Sequence, residues 1–419
     1  MNKELRRRAD VAGLPLMDYL LLRIKELEAS TSVKRTIFAA CPNSHAVIKA
    51  ALRAAKRNNA PIKFAATLNQ VDTDLGYTGL TQKDFVKTIR EEARKINFLG
   101  PVIIAVDHGG PWLKDKHRNE EWSFEETSNA VKKSFEASIA AGYDLIHVDP
   151  TIDITLPKGM GIPIELVVER TVEFILHAEK FRQMNNYKQI SYEVGTEEVH
   201  GGLADINTFK TFLELLKVEL NKAGLKNIWP CFVVGKVGTD LHTTLFDPEI
   251  AKTLTSIVSA YGSVIKGHYS DNVENPEDYP LSGMGAANVG PEFTECEYEG
   301  LIELTELEQT LNIPEISNIK EVLWSAVIAS NRWKKWLHIG ESDTDFFQND
   351  QLRQDWLIKT GCRYIWNNPE VVASRALLYK NLEAKGIDAQ EILLSTIERS
   401  MDKYFCKFNL IDLNKLLLA

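Results

Sequence analysis

Paired cysteines, an excess of cations and long apolar runs are all missing from this 419-residue sequence. Its five cysteines are scattered and form no CxxC pair. We therefore expect reduced thiols in a cytoplasmic protein, not a disulfide framework or a zinc knuckle. The formal charge of −9 offers no surplus of cations to attract phosphates, which excludes nucleic acid as the main partner.

A membrane segment is not expected either. The segment LPLMDYLLLRIKELEAS at 14–30 carries charges within a helical apolar period, whereas a signal-peptide core or a bilayer span needs an uninterrupted apolar run. It is predicted to form an amphipathic helix, and it lacks the broad basic face that a surface membrane anchor requires.

Short apolar, β-branched runs alternate with longer segments of helical period. Continuous apolar character predicts strands that are buried on both faces, as in parallel sheets. The predicted strands lie within 34–41, 61–70, 100–110, 143–151, 188–198, 226–236, 262–271 and 284–293. The predicted helices between them lie within 45–58, 81–96, 123–142, 164–184, 206–224 and 248–262. Thr81 is a candidate N-cap, Ser123 opens a Ser-x-x-Glu capping box, and Gly142 is expected to end that helix.

Eight strands that alternate with helices over residues 34–312 predict an α/β fold, a (β/α)8 TIM barrel. An open doubly wound sheet is the alternative, but the strand count and the lack of a GxGxxG after the first strand favour the barrel. Residues 1–33 are predicted as an N-terminal helical addition. Residues 313–419 are predicted as a helical extension packed on the barrel.

Polar residues gather at the predicted strand ends, where the active sites of TIM barrels lie. Histidines and carboxylates that converge from different strands suit a divalent metal, and nearby carboxylates can move protons. The polar strand-end residues are Asn69, Gln70, Asp107, His108, His147, Asp149, Glu193, Glu197, Lys236, His268, Ser270, Asp271 and Asn288.

Structural roles would explain several of these residues equally well. Asp107 and His108 precede Gly-Gly-Pro, so a turn aspartate beside a solvent-facing histidine would give the same pattern. His147 and Asp149 share a strand face, and a single His–Asp hydrogen bond is as good an explanation as catalysis. Glu193 lies inside SYEVG, where a carboxylate needs a partner, and a metal, a lysine or an arginine would serve.

Other candidates are weaker. No histidine pairing supports a nucleophilic Cys41, and His200 and His242 fall in predicted loops. The aromatic residues of the tail are expected to pack in a core, with a sugar platform as the alternative; they are Trp333, Trp336, Tyr364 and Trp366.

Nine stretches between residue 41 and about residue 380 resemble, in order, the so-called non-catalytic subunit of class II tagatose-1,6-bisphosphate aldolase, a family also described as tagatose 6-phosphate kinases. The sequence has no GxxxxGK[ST] loop, so a kinase activity is not expected. The stretches are CPNSHAVIKAALR (41–53), LNQVDTDLGYTGLT (68–81), VDHGGP (106–111), IHVDPT (146–151), YEVGTEEVHGG (192–202), GHYSD (267–271), NVGPEFT (288–294), RWKKW (332–336) and RYIW (363–366).

This family is similar in turn to catalytic class II aldolases, which hold zinc through histidines at strand ends. The resemblance implies that Asp107 transfers protons and that Glu193 is a second catalytic carboxylate. It also implies that His108, His268 and Glu193 bind a divalent metal, with zinc first and manganese or magnesium as alternatives. The expected substrate-binding residues are Asn69, Gln70, Asp149, Glu197, Lys236, Ser270, Asp271 and Asn288.

Two departures from the aldolase pattern stand out. Gly235 and Lys236 replace a second ligand histidine on strand six, and a lysine there could replace the charge of a metal or bind a substrate oxygen. HYSDN (268–272) replaces a glycine-rich phosphate loop.

Two functional hypotheses follow from the resemblance. The first is an enzyme of carbohydrate metabolism: a metal-dependent C4 epimerase for a tagatose- or fructose-type ketose, free or phosphorylated, which works by retro-aldol and aldol steps, or a related aldolase. The second is a non-catalytic subunit that stabilises a class II tagatose-bisphosphate aldolase. Either protein is expected to be a homo-oligomer in the cytoplasm.

Overall fold

The computed structural model describes residues 3–157, 160–195, 205–239, 244–338, 341 and 351–418. Within these residues, eight strands pair in parallel in chain order, and the last strand closes on the first. The predicted (β/α)8 barrel is confirmed, with strands shorter than the predicted runs. The strands are β1 (Ile37–Ala40), β2 (Ile62–Thr67), β3 (Val102–Gly109), β4 (Leu145–Val148), β5 (Ser191–Gly195), β6 (Phe232–Val234), β7 (Val264–Gly267) and β8 (Ala286–Val289).

The helices that surround the barrel include all six that the sequence predicts. Those up to the last barrel helix are α1 (Lys3–Ala12), α2 (Leu16–Thr31), α3 (His45–Arg57), α4 (Gln82–Lys95), α5 (Asp115–Asn119), α6 (Phe124–Ala141), α7 (Ile164–Met184), α8 (Ile206–Lys222), α9 (Pro248–Ser259), α10 (Asp278–Leu281) and α11 (Pro291–Thr310). The extension contains α12 (Ile319–Ser330), α13 (Gln351–Gly361), α14 (Pro369–Glu383), α15 (Ala389–Lys407) and α16 (Leu413–Leu418), with 3₁₀ turns at Arg332–Trp336 and Cys362–Tyr364.

Local capping explains where the predicted helices begin and end. Thr81 and Ser123 each open a complete capping box, so the first free backbone N–H groups of α4 and α6 are satisfied. Gly142 ends α6 in the left-handed conformation at φ 87°, which glycine adopts without a steric penalty. The three capping predictions are confirmed.

The N-terminal segment forms two helices, whereas the sequence predicts one. The additional helix α1 is strongly charged, and only Leu5 and Ala9 are buried, so it shows almost no apolar period. It is held at the amino end of the barrel by an ion pair of 2.6 Å between Arg6 and Asp144. In α2, Asp18 accepts a hydrogen bond from Ser191 at the start of β5.

The C-terminal extension runs along the barrel from one end to the other. Near its start, Lys335 Nζ lies 2.7 Å from Asp115 Oδ1, beyond the carboxyl end of β3. Farther on, Phe38 of β1 stacks on Tyr404 with ring centroids 5.4 Å apart. At the amino end, the Thr36 N–H donates to the Phe408 carbonyl at 3.2 Å. The C-terminal extension therefore packs into the same hydrophobic core as the barrel.

Among the described helices, none is long and apolar enough to cross a membrane.

The carboxyl end of β3 approaches the strand after it unusually closely. A Cβ on Gly110 would lie 1.7 Å from the Asp149 carbonyl oxygen, and the Asp149 N–H donates to the Gly109 carbonyl at 3.0 Å. Only a residue without a side chain fits here, and this approach positions His108 and Asp149 beside each other.

We expect Gly110→Ala to lower the free energy of unfolding by about 2–3 kcal/mol, because the new methyl group must push two backbone segments apart. Gly386→Ala is the control: Gly386 has φ +77° and nothing within 4 Å of an added Cβ, so it should cost only the backbone strain of about 1 kcal/mol. Urea unfolding of both variants measures the difference. Equal losses would show that the β3–β4 approach is not tight.

Candidate active site

A cavity opens at the carboxyl ends of the strands, where a TIM barrel carries its active site. Its walls combine strand ends of the barrel with two segments of the C-terminal extension. The lining residues are Cys41, Asn43, Thr67, Asn69, Gln70, Tyr77, Asp107, His108, Asp115, His268, Tyr269, Asp271, Asn288, Gly290, Pro291, Lys335, Trp336, Arg363 and Tyr364.

Two carboxylates and two lysines meet inside the barrel at the inner end of this cavity. Lys266 Nζ lies 2.5 Å from Glu193 Oε1 and 3.1 Å from Asp107 Oδ1. Lys63 Nζ lies 3.4 Å from Glu193 Oε2. Both lysine side chains and that of Glu193 are fully buried. The sequence left open whether a metal, a lysine or an arginine pairs with Glu193, and in this structure lysines do so.

Electrostatics keep this centre ionised. Burial alone would raise the pKa of Asp107, but Lys266, followed by His268 and His108, outweighs it and holds that pKa well below its usual range. The pKa of Glu193 is likewise lowered, because Lys266 and Lys63 outweigh the effect of burial. Burial opposes the charge of Lys266 in turn, but Asp107 and Glu193 raise its pKa.

Two histidines flank the carboxylates. His147 Nδ1 lies 3.3 Å from Glu193 Oε1, and it also accepts the backbone N–H of His108 at 3.1 Å. His268 Nε2 lies 3.3 Å from Asp107 Oδ1. Burial is the main cause of a lowered pKa at His147. Because Nδ1 accepts a hydrogen bond, the proton of the neutral ring lies on Nε2.

His108 is held in place by Asp149. The distance between His108 Nδ1 and Asp149 Oδ2 is 2.6 Å, and Thr151 donates to the other Asp149 oxygen. Burial would raise the pKa of Asp149, but the hydrogen bond with His108 lowers it to about 2. His108 has φ 48°, a conformation that non-glycine residues rarely adopt. Because Nδ1 is occupied, Nε2 is the ring nitrogen that remains for a ligand on the cavity side.

The donor atoms of this centre suit a divalent metal. One atom each of Asp107, His147, Glu193 and His268 lie within 4.8 Å of one another, and all four residues are buried. The imidazole of His268 with the carboxylates of Asp107 and Glu193 is a donor set that fits zinc, manganese or a similar ion. His147 is less ready to bind an ion, because its Nδ1 accepts the His108 N–H and its Nε2, unpartnered among the described residues, carries the ring proton. A metal here would share both carboxylates with the Lys266 ammonium.

The structure brings most of the predicted site residues to one place. Asn69, Gln70, Asp107, His108, His268, Asp271 and Asn288 line the cavity. Glu193, Asp149 and Ser270 are buried behind its wall, where Ser270 accepts a hydrogen bond of 2.9 Å from the Tyr279 hydroxyl. Lys236 is half-buried and is not among the lining residues. Glu197, His200 and His242 lie outside the described residues.

Two lining residues have polar groups of particular interest. The Asn288 side-chain N–H donates to Asp107 Oδ2 at 2.9 Å, while its Oδ1 is buried without a hydrogen-bond partner in the described part of the chain. Asp271 Oδ1 accepts the backbone N–H groups of Gly290 and Glu292 at the start of α11. Burial nevertheless raises the pKa of Asp271 to about 7.

The sequence-based prediction missed the lysines and the contribution of the tail. Lys63 and Lys266 stand inside the otherwise apolar strands β2 and β7, and a lysine within such a strand was the available signal. The sequence indicates Lys236 as the lysine that could replace the charge of a metal. In the structure, the ammonium group that contacts the two carboxylates belongs to Lys266. Tail residues Trp336 and Tyr364, expected to pack in a core, line the cavity, whereas Trp333 and Trp366 are buried.

Two solved structures of other proteins share the fold of this chain. The chain is similar to a probable tagatose 6 phosphate kinase from Sinorhizobium meliloti, with a TM-score of 0.74 and 20% identity over 89% of this chain and 100% of that one. It is also similar to fructose-bisphosphate aldolase from Campylobacter jejuni, with a TM-score of 0.57 and 12% identity over 94% and 95% of the chains. These likenesses concern the fold.

A sequence profile of the family described as D-tagatose-1,6-bisphosphate aldolase subunit GatZ/KbaZ-like matches residues 23–406. The match covers most of the chain, and it confirms the resemblance noted in the sequence. The barrel is of the aldolase type and the family is one of carbohydrate metabolism. The chain belongs to the D-tagatose-1,6-bisphosphate aldolase subunit GatZ/KbaZ-like family.

Proposed function

We propose that this protein is an enzyme that inverts C4 of a ketose of the tagatose or fructose type by retro-aldol and aldol steps. The observation that carries the proposal is the position of Asp107. Its carboxylate lines the cavity, is held ionised by Lys266, and has His268 at 3.3 Å. Asp107 is already deprotonated and can accept a hydroxyl proton; Lys266 weakens its basicity, but the same cations stabilise the anion that develops.

The chemistry requires one proton acceptor that also returns the proton. Asp107 takes the proton of the C4 hydroxyl, the C3–C4 bond breaks, and its electron pair passes to C3, which leaves an enediolate and an aldehyde. The aldehyde turns its other face toward C3, the bond forms again, and Asp107 returns the proton to the C4 oxygen. The stereochemistry at C4 is then inverted, and no fragment needs to leave the cavity.

Other residues orient the sugar and hold the charges. Asn288 Oδ1 has no hydrogen-bond partner among the described residues, so it is available to accept a hydrogen bond from a sugar hydroxyl, while the Asn288 amide N–H holds Asp107 in position. Asn69, Gln70 and Asp271 offer further polar groups on the cavity wall. Glu193, behind the wall, does not reach the sugar; it orients Asp107 through Lys266 and is also one of the proposed metal ligands.

A divalent metal is the proposed cofactor, with zinc first and manganese or magnesium as alternatives. His268 and Glu193 belong to the buried donor cluster, and the His108 ring lies 4.3 Å from that of His268; these three residues would hold the ion. When bound, it would polarise the C2 carbonyl of the ketose as a Lewis acid.

The second candidate is a non-catalytic subunit that stabilises a separate class II aldolase, which the family description favours. One feature of the site also fits it: Lys266 and Lys63 already balance Asp107 and Glu193, so the barrel does not need a metal for charge neutrality. Under either function we propose a homo-oligomeric protein of the cytoplasm.

Turnover by the purified protein alone separates the two candidates. We expect the full chain with Zn²⁺, Mn²⁺ or Mg²⁺ to interconvert tagatose and fructose, or their 6-phosphates, in an NMR assay. Asp107→Asn should lower kcat/KM by about 10²–10⁴-fold, because the base is lost. Asp10→Asn, an exposed aspartate on α1, is the control and should be fully active. Full activity of Asp107→Asn would contradict the mechanism, and activation of a co-expressed aldolase without any turnover would favour the accessory role.

Loss of the Lys266 charge should destabilise the fold. Lys266→Met keeps the approximate volume but leaves Asp107 and Glu193 short of a partner, which we expect to lower the free energy of unfolding by about 3 kcal/mol at pH 7. Both carboxyl groups have lowered pKa values in the folded protein, so their stabilising contribution is present above about pH 5 and fades as the pH falls. The difference between variant and wild type should therefore shrink in acid.

Urea unfolding between pH 4 and pH 8 measures this effect. Lys252→Met is the matched control, because Lys252 makes an exposed ion pair with Glu249 that contributes little. A Lys266→Met protein as stable as the control at pH 7 would show that the buried network does not hold the barrel together.

Metal content tests the donor assignment independently of activity. His268→Ala and His108→Ala should each weaken zinc binding at least about tenfold, because each removes a ligand, with little change in fold. His177→Ala is the control, since that histidine is partly exposed on α7 and pairs with Glu136. Metal analysis and zinc titration give the affinities, and full occupancy in both site variants would place the metal elsewhere.

A further inference from the structure

The cavity contains a buried cation that forms no ion pair with the residues the structure describes. Arg363, in the 3₁₀ turn after α13, is only 7% exposed and lines the cavity. Its Nε donates to the Thr360 carbonyl at 2.9 Å. Among the described residues, no carboxylate lies within ion-pair distance of its guanidinium group. An arginine is always charged, so burial without an anion is costly unless a ligand supplies one.

Aromatic stacking fixes the direction of this guanidinium group. Its central carbon lies 4.6 Å from the ring centroid of Trp336 and 5.9 Å from that of Tyr364. Two contacts hold Tyr364 in turn. The central guanidinium carbon of Arg332 lies 4.0 Å from the Tyr364 ring centroid, and the Tyr77 ring makes an edge-to-face contact with centroids 5.1 Å apart. Stacking accounts for the orientation of Arg363, but it does not neutralise the charge.

The cavity rim near Arg363 also has more cations than anions. Asp115 forms ion pairs of 2.7 Å with both Arg332 and Lys335, so one carboxylate neutralises part of the charge of two cations. Two acidic residues interact electrostatically with Arg363 without forming an ion pair with it. Burial raises the pKa of both, that of Asp271 to about 7 and that of Glu295 above its ordinary value. Within the described part of the chain, Arg363 therefore lacks a direct counter-ion, which a ligand can supply.

We propose that Arg363 binds the anionic terminus of the substrate, a phosphate monoester or a carboxylate, at the end of the carbon chain opposite the C2 carbonyl. A guanidinium group binds either anion through two parallel hydrogen bonds. This inference rests on the proposed function and makes the substrate an anionic ketose. The subsite belongs to the C-terminal extension, which reaches over the barrel mouth, so it takes the place of a glycine-rich phosphate loop.

Binding measurements with three ketoses test the proposal without any need for turnover. Tagatose, tagatose 6-phosphate and tagaturonate share a carbon chain but end in a hydroxyl, a phosphate or a carboxylate. By calorimetry on the full-length wild type, we expect one of the two anionic ketoses to bind at least about 30-fold more tightly than tagatose, as a charge-assisted hydrogen-bonded pair implies. The tighter of the two identifies the anion.

Variants assign the preference to Arg363. Arg363→Gln should reduce the preference for the anionic ketose to within about threefold of tagatose, and Arg363→Lys should keep part of it, because the charge stays while the two-point geometry is lost. Arg399→Gln, which removes an exposed arginine of α15, should bind as the wild type. If Arg363→Gln does not fold, the wild-type comparison and Arg363→Lys still decide the question.

The outcomes separate this inference from the proposed function. An anion preference that Arg363→Gln abolishes, without turnover of any ketose, would support the anion subsite and remove the epimerase activity. Equal binding of all three ketoses, no binding of any, or an unchanged preference in Arg363→Gln would overturn the subsite, whether or not the protein is an enzyme.

Discussion

Charge balance at the centre of the barrel is the constraint on which the rest of the site depends. Eight short strands converge there, and the space between them admits little water, so each ionised group needs a partner of opposite sign. Asp107 and Glu193 find that partner chiefly in Lys266, with Lys63 on the far side of Glu193. This network fixes the orientation of the carboxylate that faces the cavity, and the histidines around it are positioned relative to that carboxylate.

A second constraint is the tight approach of β3 to β4. The glycine pair after His108 lets the two backbones approach so closely that Asp149 bonds to His108 across the strands, and not to His147 on its own strand. His147 is consequently free to accept the backbone N–H of His108. Gly109 and Gly110 thereby determine the ring orientations of His108 and His147. The site is preorganised for a ligand.

Much of this architecture could be predicted from local patterns. Apolar runs and capping boxes located the eight strands and six helices, and strand ends located Asp107, His108 and His268. The partners of Glu193 could not be assigned, because Lys63 and Lys266 are distant in sequence and meet only when the barrel closes. The same holds for Arg363 and Tyr364, since the periodicity of a helical tail does not say over which end of the barrel it folds. The weak apolar pattern of α1 hid that helix for a related reason: an ion pair holds it.

Under the proposed function, the internal cation also separates the metal site from the stability of the fold. If a metal were the sole counter-charge, its loss would leave two buried carboxylates unpaired and destabilise the barrel. With Lys266 present, the fold remains charge-balanced, so metal binding can be tuned for the substrate without a penalty in stability. The lysine also weakens the attraction of the carboxylates for an ion, so the proposed histidine ligands His108 and His268 would contribute more of the affinity. An active site and a stable scaffold for a partner subunit are therefore compatible in one barrel, because Lys266, which balances the carboxylates, is not among the residues that line the cavity.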